Sequence, residues 1–107
     1  MAEITAEIMV VWWRDIPAQI IAGSSRRDRI KRVLSERFEK AIDRAAMRAG
    51  ARDSEAYLRD WHRVAEQIKG SDLQQIVEAR ALELEQSYDD ARLTQLVARG
   101  GRNPDQG

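Results

Sequence analysis

The stretch Ile8-Met9-Val10-Val11-Trp12-Trp13 decides the fold class of this chain. Five of its six residues are β-branched or aromatic, which is the composition of a buried strand and disfavours a helix. Pro17 follows shortly afterwards. Because proline lacks an amide N–H and restricts the residue before it, it interrupts regular pairing at this point. The N-terminal segment is therefore predicted to be a strand that ends before Pro17.

A second short apolar run, Ala18–Ala22, is closed by Gly23 and two serines. We expect Glu3–Trp13 and Ala18–Ala22 to form an antiparallel hairpin or adjacent strands. Arg63–Lys69 fits either a continued helix or a third strand. An extended segment is favoured, because a two-stranded sheet alone is only marginally stable in water.

The longest helical pattern follows the hairpin. Ser24 or Ser25 can cap a helix that continues to Ala49 and stops at Gly50. Apolar residues recur in it at three- and four-residue spacing, which marks one face of a helix: Ile30, Val33, Leu34, Phe38, Ala41, Ile42 and Ala45. Further helices are predicted after Asp53 or Ser54, from Asp72 to about Ser87, and around Leu93–Val97.

These elements predict an α+β fold in which a short antiparallel sheet, made of the N-terminal hairpin and a candidate third strand, is packed by three to four helices. Residues 1–99 are expected to form a single domain and residues 100–107 a flexible tail, because a Gly-Gly-Arg-Asn-Pro run ends regular structure there. No apolar run approaches the roughly 20 residues of a membrane span. Since no signal peptide is evident either, we expect a cytoplasmic protein without a membrane partner.

Reactive side chains are scarce. The chain of 107 residues has no cysteine and one histidine, which excludes disulfides, thiolate catalysis and zinc–thiolate sites. His62 lacks the second histidine or cysteine that a metal or catalytic role would need. No catalytic, cofactor-binding or metal-binding residue is predicted, and we do not expect an enzyme. A small enzyme that uses only arginines and carboxylates is the third alternative.

The formal net charge is zero, which argues against a dedicated nucleic-acid-binding protein. The charges are nevertheless separated along the chain. Residues 24–52 contain ten basic and four acidic residues, whereas residues 53–90 contain four basic and ten acidic ones. Segments of opposite sign attract each other within one domain or between two copies.

Four of the arginines share a border of the long predicted helix. At about 100° per residue, Arg26, Arg37, Arg44 and Arg48 follow one edge of the apolar face. There an arginine can lay its stem on the core and present its guanidinium at the rim. One interpretation is a site for a phosphate-bearing ligand or for acidic side chains of a partner. The other, which we favour, is internal pairing with the acidic second half.

Trp12 and Trp13 are adjacent, so in a strand they point to opposite sides of the sheet. One can enter the core, whereas the other must meet solvent, a covering helix or a partner. An outward tryptophan is an effective interface anchor. If one face of the sheet lacks helices, dimerisation through that face is the simplest solution. Trp12 and Trp13 therefore join the four arginines as candidate partner-binding residues.

The sequence also resembles the small bacterial "virulence factor" domain family, whose domain occurs within conserved virulence factor C of Gram-positive bacteria. The resemblance covers nearly the whole chain and is most specific over Ser35–Gly50. It is carried by Trp13–Gly23, Leu34–Gly50, Tyr57-Leu58, Trp61 and Tyr88–Leu93. It implies no catalytic residues. Because free-standing members tend to be encoded near folate- and corrinoid-dependent one-carbon enzymes, it implies an accessory subunit of such enzymes.

The leading expectation is thus a non-enzymatic interaction protein that binds another subunit or itself as a homodimer, without a cofactor. The alternative is binding of nucleic acid or a phosphate ligand through the arginine-rich helix, since ten basic residues in this segment could follow a phosphate backbone. The acidic half of the chain would repel the same polyanion. Because of that repulsion, nucleic-acid binding ranks below the interaction with a protein.

Overall fold

The computed structural model describes residues 3–23, 27–51 and 54–103. These residues form four strands and four helices, which confirms the predicted α+β class. In chain order the elements are β1 (Ile4–Trp13), β2 (Ile16–Ala22), β3 (Ile30–Val33), α1 (Glu36–Arg48), α2 (Ser54–Arg59), β4 (Trp61–Gly70), α3 (Leu73–Ser87) and α4 (Asp90–Ala98).

The strands form one antiparallel sheet in the order β3-β2-β1-β4. The predicted hairpin is β1 with β2, and its register shifts between Val11 and Trp12. Arg63–Lys69 lies within β4, which pairs along the whole length of β1. The extended reading of this segment is therefore confirmed. The long central strand β1 is bonded on both sides, which explains its continuous apolar sequence.

The predicted helix from Ser24 or Ser25 to Ala49 is wrong in its first part. Ile30–Val33 is the edge strand β3, and the helix α1 begins after Ser35. Ile30 pairs with Ala22, and Val33 pairs with Gln19. Hydrogen bonds to β2 thus override a local spacing that is compatible with a helix. Ser24 and Ser25, the proposed caps, lie outside the described residues.

Helix α3 lies against one face of the sheet, and it contacts all four strands. Strand alternation directs Ile8, Val10 and Ile20 to this face, and each is fully buried in the core. Two ion pairs join α3 to the same face near the sheet edges. Arg32 of β3 lies 3.1 Å from Glu78, and Glu66 of β4 lies 2.8 Å from Arg80.

The remaining helices gather where β1 ends and β2 begins. Helix α1 packs on α4 and on β2, and Phe38 and Ile42 bring α1 into the core. The chain after α4 returns to the β1–β2 turn, where the amide of Asp15 donates to the carbonyl of Gly101 at 2.8 Å. Gly100 and Gly101 are buried. The packed part of the domain therefore extends beyond the predicted boundary at residue 99 and reaches Asn103, whose amide donates to Asp15 at 2.7 Å.

Candidate interaction surface

The predicted arginine stripe is divided by the structure. Arg26 lies outside the described residues, while Arg37, Arg44 and Arg48 lie on α1. Arg37 is half-buried, whereas Arg44 and Arg48 are exposed. Because β3 interrupts the predicted helix, the stripe on α1 contains three arginines, and their surroundings differ.

Arg37 is used inside the fold. Its guanidinium donates to the carbonyl oxygens of Glu85 and Tyr88, which are free acceptors near the C-terminal end of α3. It also lies 3.1 Å from the Glu85 carboxylate and 3.5 Å from that of Asp90. A cation is favourable at a helix C-terminus, where carbonyl groups lack partners. Arg37 is therefore paired within the fold, with residues of the acidic second half of the chain.

Arg44 lies beside a groove of about 240 Å³ between α1 and α4. Lys40 and Asp90 also line this groove, and Lys40 lies 3.4 Å from Glu36 one turn earlier. No hydrogen bond or ion pair is recorded for Arg44 or Arg48 within the described residues. The groove can attract a small anion through Arg44, but Asp90 weakens the positive potential there.

Trp13 is enclosed by the fold. It is 0% exposed, its ring stacks on Tyr57 at 5.9 Å, and its indole N–H donates to the Tyr57 carbonyl at 2.9 Å. The guanidinium of Arg14 covers the same ring at 4.8 Å. Trp13 is therefore a core residue of this domain and does not present an anchor to a partner.

Trp12 points to the opposite side, as strand alternation predicts. Its ring meets Tyr88 edge to face at 6.0 Å, and the side chain is half-buried. Its indole nitrogen is buried without a hydrogen-bond partner among the described residues. Trp13 is thus enclosed, whereas the half-buried Trp12 stays a candidate partner-binding residue.

The face of the sheet opposite α3 carries apolar residues that are not among the predicted partner-binding residues. The pairing of the four strands places Met9, Val11, Ile21, Val33 and Ala65 side by side on this face. Val11 is buried, with 8% exposure, whereas the other four neither belong to the buried core nor pack against it. Val33 is 54% exposed, and Met9 and Ile21 are half-buried. We call this set the open face.

Strand alternation on a solvated face normally gives polar residues. The open face instead carries apolar side chains at its centre and polar ones at its border. Lys31 lies beside Ile21 on β3, and Arg63 lies beside Val11 on β4. Glu7 accepts a hydrogen bond of 3.4 Å from Gln67 across the strand pair. An apolar centre with a charged border is the usual arrangement of a protein interface.

A cleft of about 270 Å³ adjoins the open face where β1 ends. Gln19 and Val33 line it from the sheet, and Tyr57 and Trp61 line it from α2 and β4. Glu39 and Asp43, one turn apart on α1, complete its border. Among the described residues of this lining, only the acidic ones carry charge. We call this the acidic cleft.

The acidic cleft affects the phenol of Tyr57. Burial raises the pKa of Tyr57, and the negative charges of Asp43 and Glu39 raise it further, while a hydrogen bond with Trp61 opposes the rise. The aromatic rings of Tyr57 and Trp61 meet edge to face at 5.9 Å. The cleft therefore combines a negative potential with aromatic rings, which together attract a cation.

The structure adds no metal centre to these surfaces. Within residues 3–23, 27–51 and 54–103, no group of three histidine, cysteine, aspartate or glutamate side chains could hold a metal ion. His62 is exposed, and its Nδ1 lies 3.2 Å from the Asp60 carbonyl. Among the same residues, no helix has the length and apolar character that crossing a bilayer requires.

The comparisons with known proteins identify a family. The family model described as "Virulence factor" matches residues 11–97. Because this match spans most of the chain, the chain belongs to that family, and the resemblance seen in the sequence is confirmed. The matched region includes β2, β3, β4 and the helices α1 to α3, and it begins within β1 and ends within α4. No curated protein and no solved structure gives a significant match.

Proposed function

We propose that this member of the virulence factor family is a non-enzymatic interaction protein that works within a protein assembly and uses the open face as its contact. The observation that carries the proposal is the apolar centre of that face, formed by Met9, Val11 and Ile21 on the two central strands. An apolar face of a sheet is stable when it is buried against another element. Since α3 covers one face of this sheet, a protein chain is the natural cover for the other.

The energetic reason is the hydrophobic effect. Each Å² of apolar surface removed from water contributes about 25 cal/mol, and an exposed apolar patch on a folded protein commonly marks an interaction site. The border residues Lys31, Arg63 and Glu7 would then select the orientation of the partner, because charges contribute more to specificity than to affinity. In this assignment, the apolar centre supplies affinity and the border supplies selectivity.

The family resemblance suggests the class of assembly, namely folate- and corrinoid-dependent one-carbon enzymes, in which this chain would be a small accessory subunit. A tagged chain expressed at its natural level should elute from gel filtration of a native lysate well above 12.2 kDa. Mass spectrometry of that fraction would identify the companion chains. Elution of the protein as a free monomer would contradict the proposal.

Two substitutions of similar chemistry connect this experiment to the open face. Ile21→Glu places a charge in its centre and should shift the tagged chain to the monomer position. Leu82→Glu is the matched control, because Leu82 lies on α3 and is 58% exposed, away from the open face. Equal behaviour of the two variants would exclude the open face as the contact.

The groove between α1 and α4 supports the second candidate, which is binding of nucleic acid or a phosphate ligand. Arg44 makes no hydrogen bond or ion pair with another described residue, and Lys40 lies in the same groove. Binding of single-stranded RNA, DNA or pyrophosphate at low salt should then weaken strongly in Arg44→Ala, as expected for a phosphate contact. Absence of binding at low salt would eliminate this candidate.

A further inference from the structure

The acidic cleft contains a local electrostatic conflict. Glu39 and Asp43 lie at i and i+4 on α1, where like charges destabilise a helix. Within the described part of the chain, neither carboxylate makes an ion pair and no lysine or arginine lines the cleft. A cation supplied from outside would relieve this repulsion. The cleft is therefore a receptor for a basic group.

Its size limits what that group can be. A cavity of about 270 Å³ lies below the 300–1,000 Å³ of a typical small-molecule site. It suits the end of one long side chain whose charge meets Glu39 and Asp43 and whose stem lies on Tyr57 and Trp61. A lysine or arginine has this combination of an apolar stem and a cationic tip.

The same surface of the molecule also supplies such side chains. Lys31 and Arg63 stand at the two edges of the open face, on β3 and β4, while the acidic cleft stands at the end of the strands. The basic groups thus lie at the sides of the apolar centre, whereas the acidic cleft lies at its end. Two such faces are complementary to each other when one sheet is rotated by about 90° on the other.

We infer that the open face binds a second copy of this chain, with the two sheets crossed near a right angle and each acidic cleft receiving Lys31 or Arg63 of the other copy. This rests on the proposed function, since it names the chain that covers the open face. Orthogonal packing of two sheets is an established arrangement. The contact is isologous, so each ion pair occurs twice and the assembly closes as a dimer.

The other two-fold arrangements are electrostatically poorer. If the axis runs along the strands, the cleft of one copy meets the cleft of the other. The first places carboxylates against carboxylates, which is unfavourable. If the axis runs across the strands, the cleft faces the end of β1 where Glu7 and Lys69 carry opposite charges, so the net attraction is small. The crossed arrangement brings Glu39 and Asp43 opposite a basic edge residue without the opposing carboxylate of Glu7.

The area of the contact sets the expected strength of the dimer. Four strands spaced about 4.8 Å apart, over about six residues each, cover roughly 400 Å². With the border of the cleft, two copies would bury a total of about 1,000 Å², which is near the lower limit for a specific interface. We therefore expect a reversible dimer that forms at micromolar to high micromolar concentrations of the full chain.

Analytical ultracentrifugation of the purified chain tests this between about 1 µM and 1 mM. A concentration-dependent monomer–dimer equilibrium is expected, and a monomer throughout would overturn the inference. Raising sodium chloride from 0.05 to 0.5 M should weaken the dimer by about threefold or more, because the ion pairs at its border are screened. This measurement needs no substitution and so avoids any question of variant folding.

Charge reversal tests the crossed arrangement itself. The double variants Glu39→Lys with Asp43→Lys and Lys31→Glu with Arg63→Glu should each dimerise at least about tenfold more weakly. Equimolar mixing of the two should restore association, because both cleft–edge contacts of the mixed dimer then join groups of opposite charge. Glu55→Lys is the control, since Glu55 is exposed on α2 and does not line the cleft. Loss without restoration on mixing would overturn the pairing of cleft and edge.

The outcomes separate this inference from the proposed function. If the purified chain is monomeric while the tagged chain elutes in a large complex that Ile21→Glu disrupts, the second copy is wrong and the interaction function stands. If the purified chain dimerises while the lysate shows only a monomer at natural levels, the dimer stands and the function fails.

Discussion

Arg37 and Glu85 join the start of α1 to the end of α3, with the guanidinium Nη2 atom 3.1 Å from the Glu85 Oε1 atom. The same carboxylate accepts a hydrogen bond of 2.7 Å from the amide of Ser35, the residue that caps α1. A negative group is thus held at the N-terminus of α1 and a positive group at the C-terminus of α3. Both placements favour the dipoles of the two helices.

Removal of Arg37 should destabilise the fold. In Arg37→Ala, two carbonyl groups at the end of α3 lose a charged donor, and each such hydrogen bond contributes about 1.5 kcal/mol or more. We expect a loss of about 2–3 kcal/mol in the free energy of unfolding, measured by urea denaturation. Arg44→Ala on the same helix is the control and should change it by less than about 0.5 kcal/mol. Equal losses would show that Arg37 has no special structural role.

The pKa of Glu85 gives this connection a pH dependence. Burial raises the pKa of Glu85, but hydrogen bonds from Ser35 and Arg37 outweigh burial and leave it below its usual value. The folded state therefore favours the ionised carboxylate. Its stabilising contribution is complete above the pKa of the unfolded chain, about 4.3, and is lost as the pH falls through the lower folded value.

Glu85→Gln should consequently cost stability at neutral pH and progressively less in acid. We expect a difference from the native chain of about 1–2 kcal/mol at pH 7, which shrinks as the pH falls below about 4. Urea denaturation at pH 7, 5, 4 and 3 measures it. Glu55→Gln, which removes an exposed carboxylate, should give a small and nearly constant difference. A constant loss for Glu85→Gln would contradict the lowered pKa.

The sheet was predictable because its signal is local composition. The β-branched and aromatic residues of Ile8–Trp13 favour a buried strand. Arg63–Lys69 then supplies the third strand that a hairpin needs for stability. β3 was missed because Ile30 and Val33 also fit the three-residue spacing of the helix that follows. Their strand conformation depends on hydrogen bonds to Ala22 and Gln19, which local spacing does not contain.

The different surroundings of the arginines on α1 could not be predicted from the sequence. Arg37 and Arg44 occupy the same border of α1, yet one is bonded to the end of α3 and the other lines a groove. Their difference depends on where α3 ends in space, and helical periodicity carries no information on that. The open face was implicit in Met9 and Val11, which make β1 apolar on both sides. Which side lacks a helix depends on the position of α3.

Arg14 provides a second connection that the sequence did not reveal. It adopts a φ of 52° in the β1–β2 turn, and its side chain bonds to Asp60 at 3.0 Å and to the Gly100 carbonyl at 2.9 Å. The turn, the start of β4 and the end of α4 are thereby held together. Arg14 therefore holds the C-terminal segment against the sheet.

Two substitutions at Arg14 separate its side chain from its backbone conformation. Arg14→Ala should lose about 2–3 kcal/mol of stability, because the charged donor is removed while the left-handed backbone remains strained. Arg14→Gly also loses the side chain but adopts this φ freely, so it should be more stable than Arg14→Ala by about 1 kcal/mol. Thermal unfolding measures both. If Gly were the less stable variant, backbone strain at Arg14 would be unimportant.

Gly101 is constrained by both conformation and space. Its φ is 91°, and a Cβ atom added there would lie 2.9 Å from a ring carbon of Trp13. Trp13 is fully buried and stacked on Tyr57, so it has little freedom to move. Gly50 has a similar φ of 76°, but an added Cβ would meet nothing within 4 Å. The two glycines therefore separate backbone strain from steric conflict.

Gly50→Ala should destabilise the domain by about 1–2 kcal/mol, which is the cost of placing an L-residue in the left-handed region. Gly101→Ala should lose that amount and an additional 1–3 kcal/mol or so, because the ring of Trp13 must shift within a packed core. Urea denaturation gives the free energies, and the fluorescence of the tryptophans should change only in Gly101→Ala. Equal losses in the two variants would mean that a Cβ atom at residue 101 does not displace the ring of Trp13.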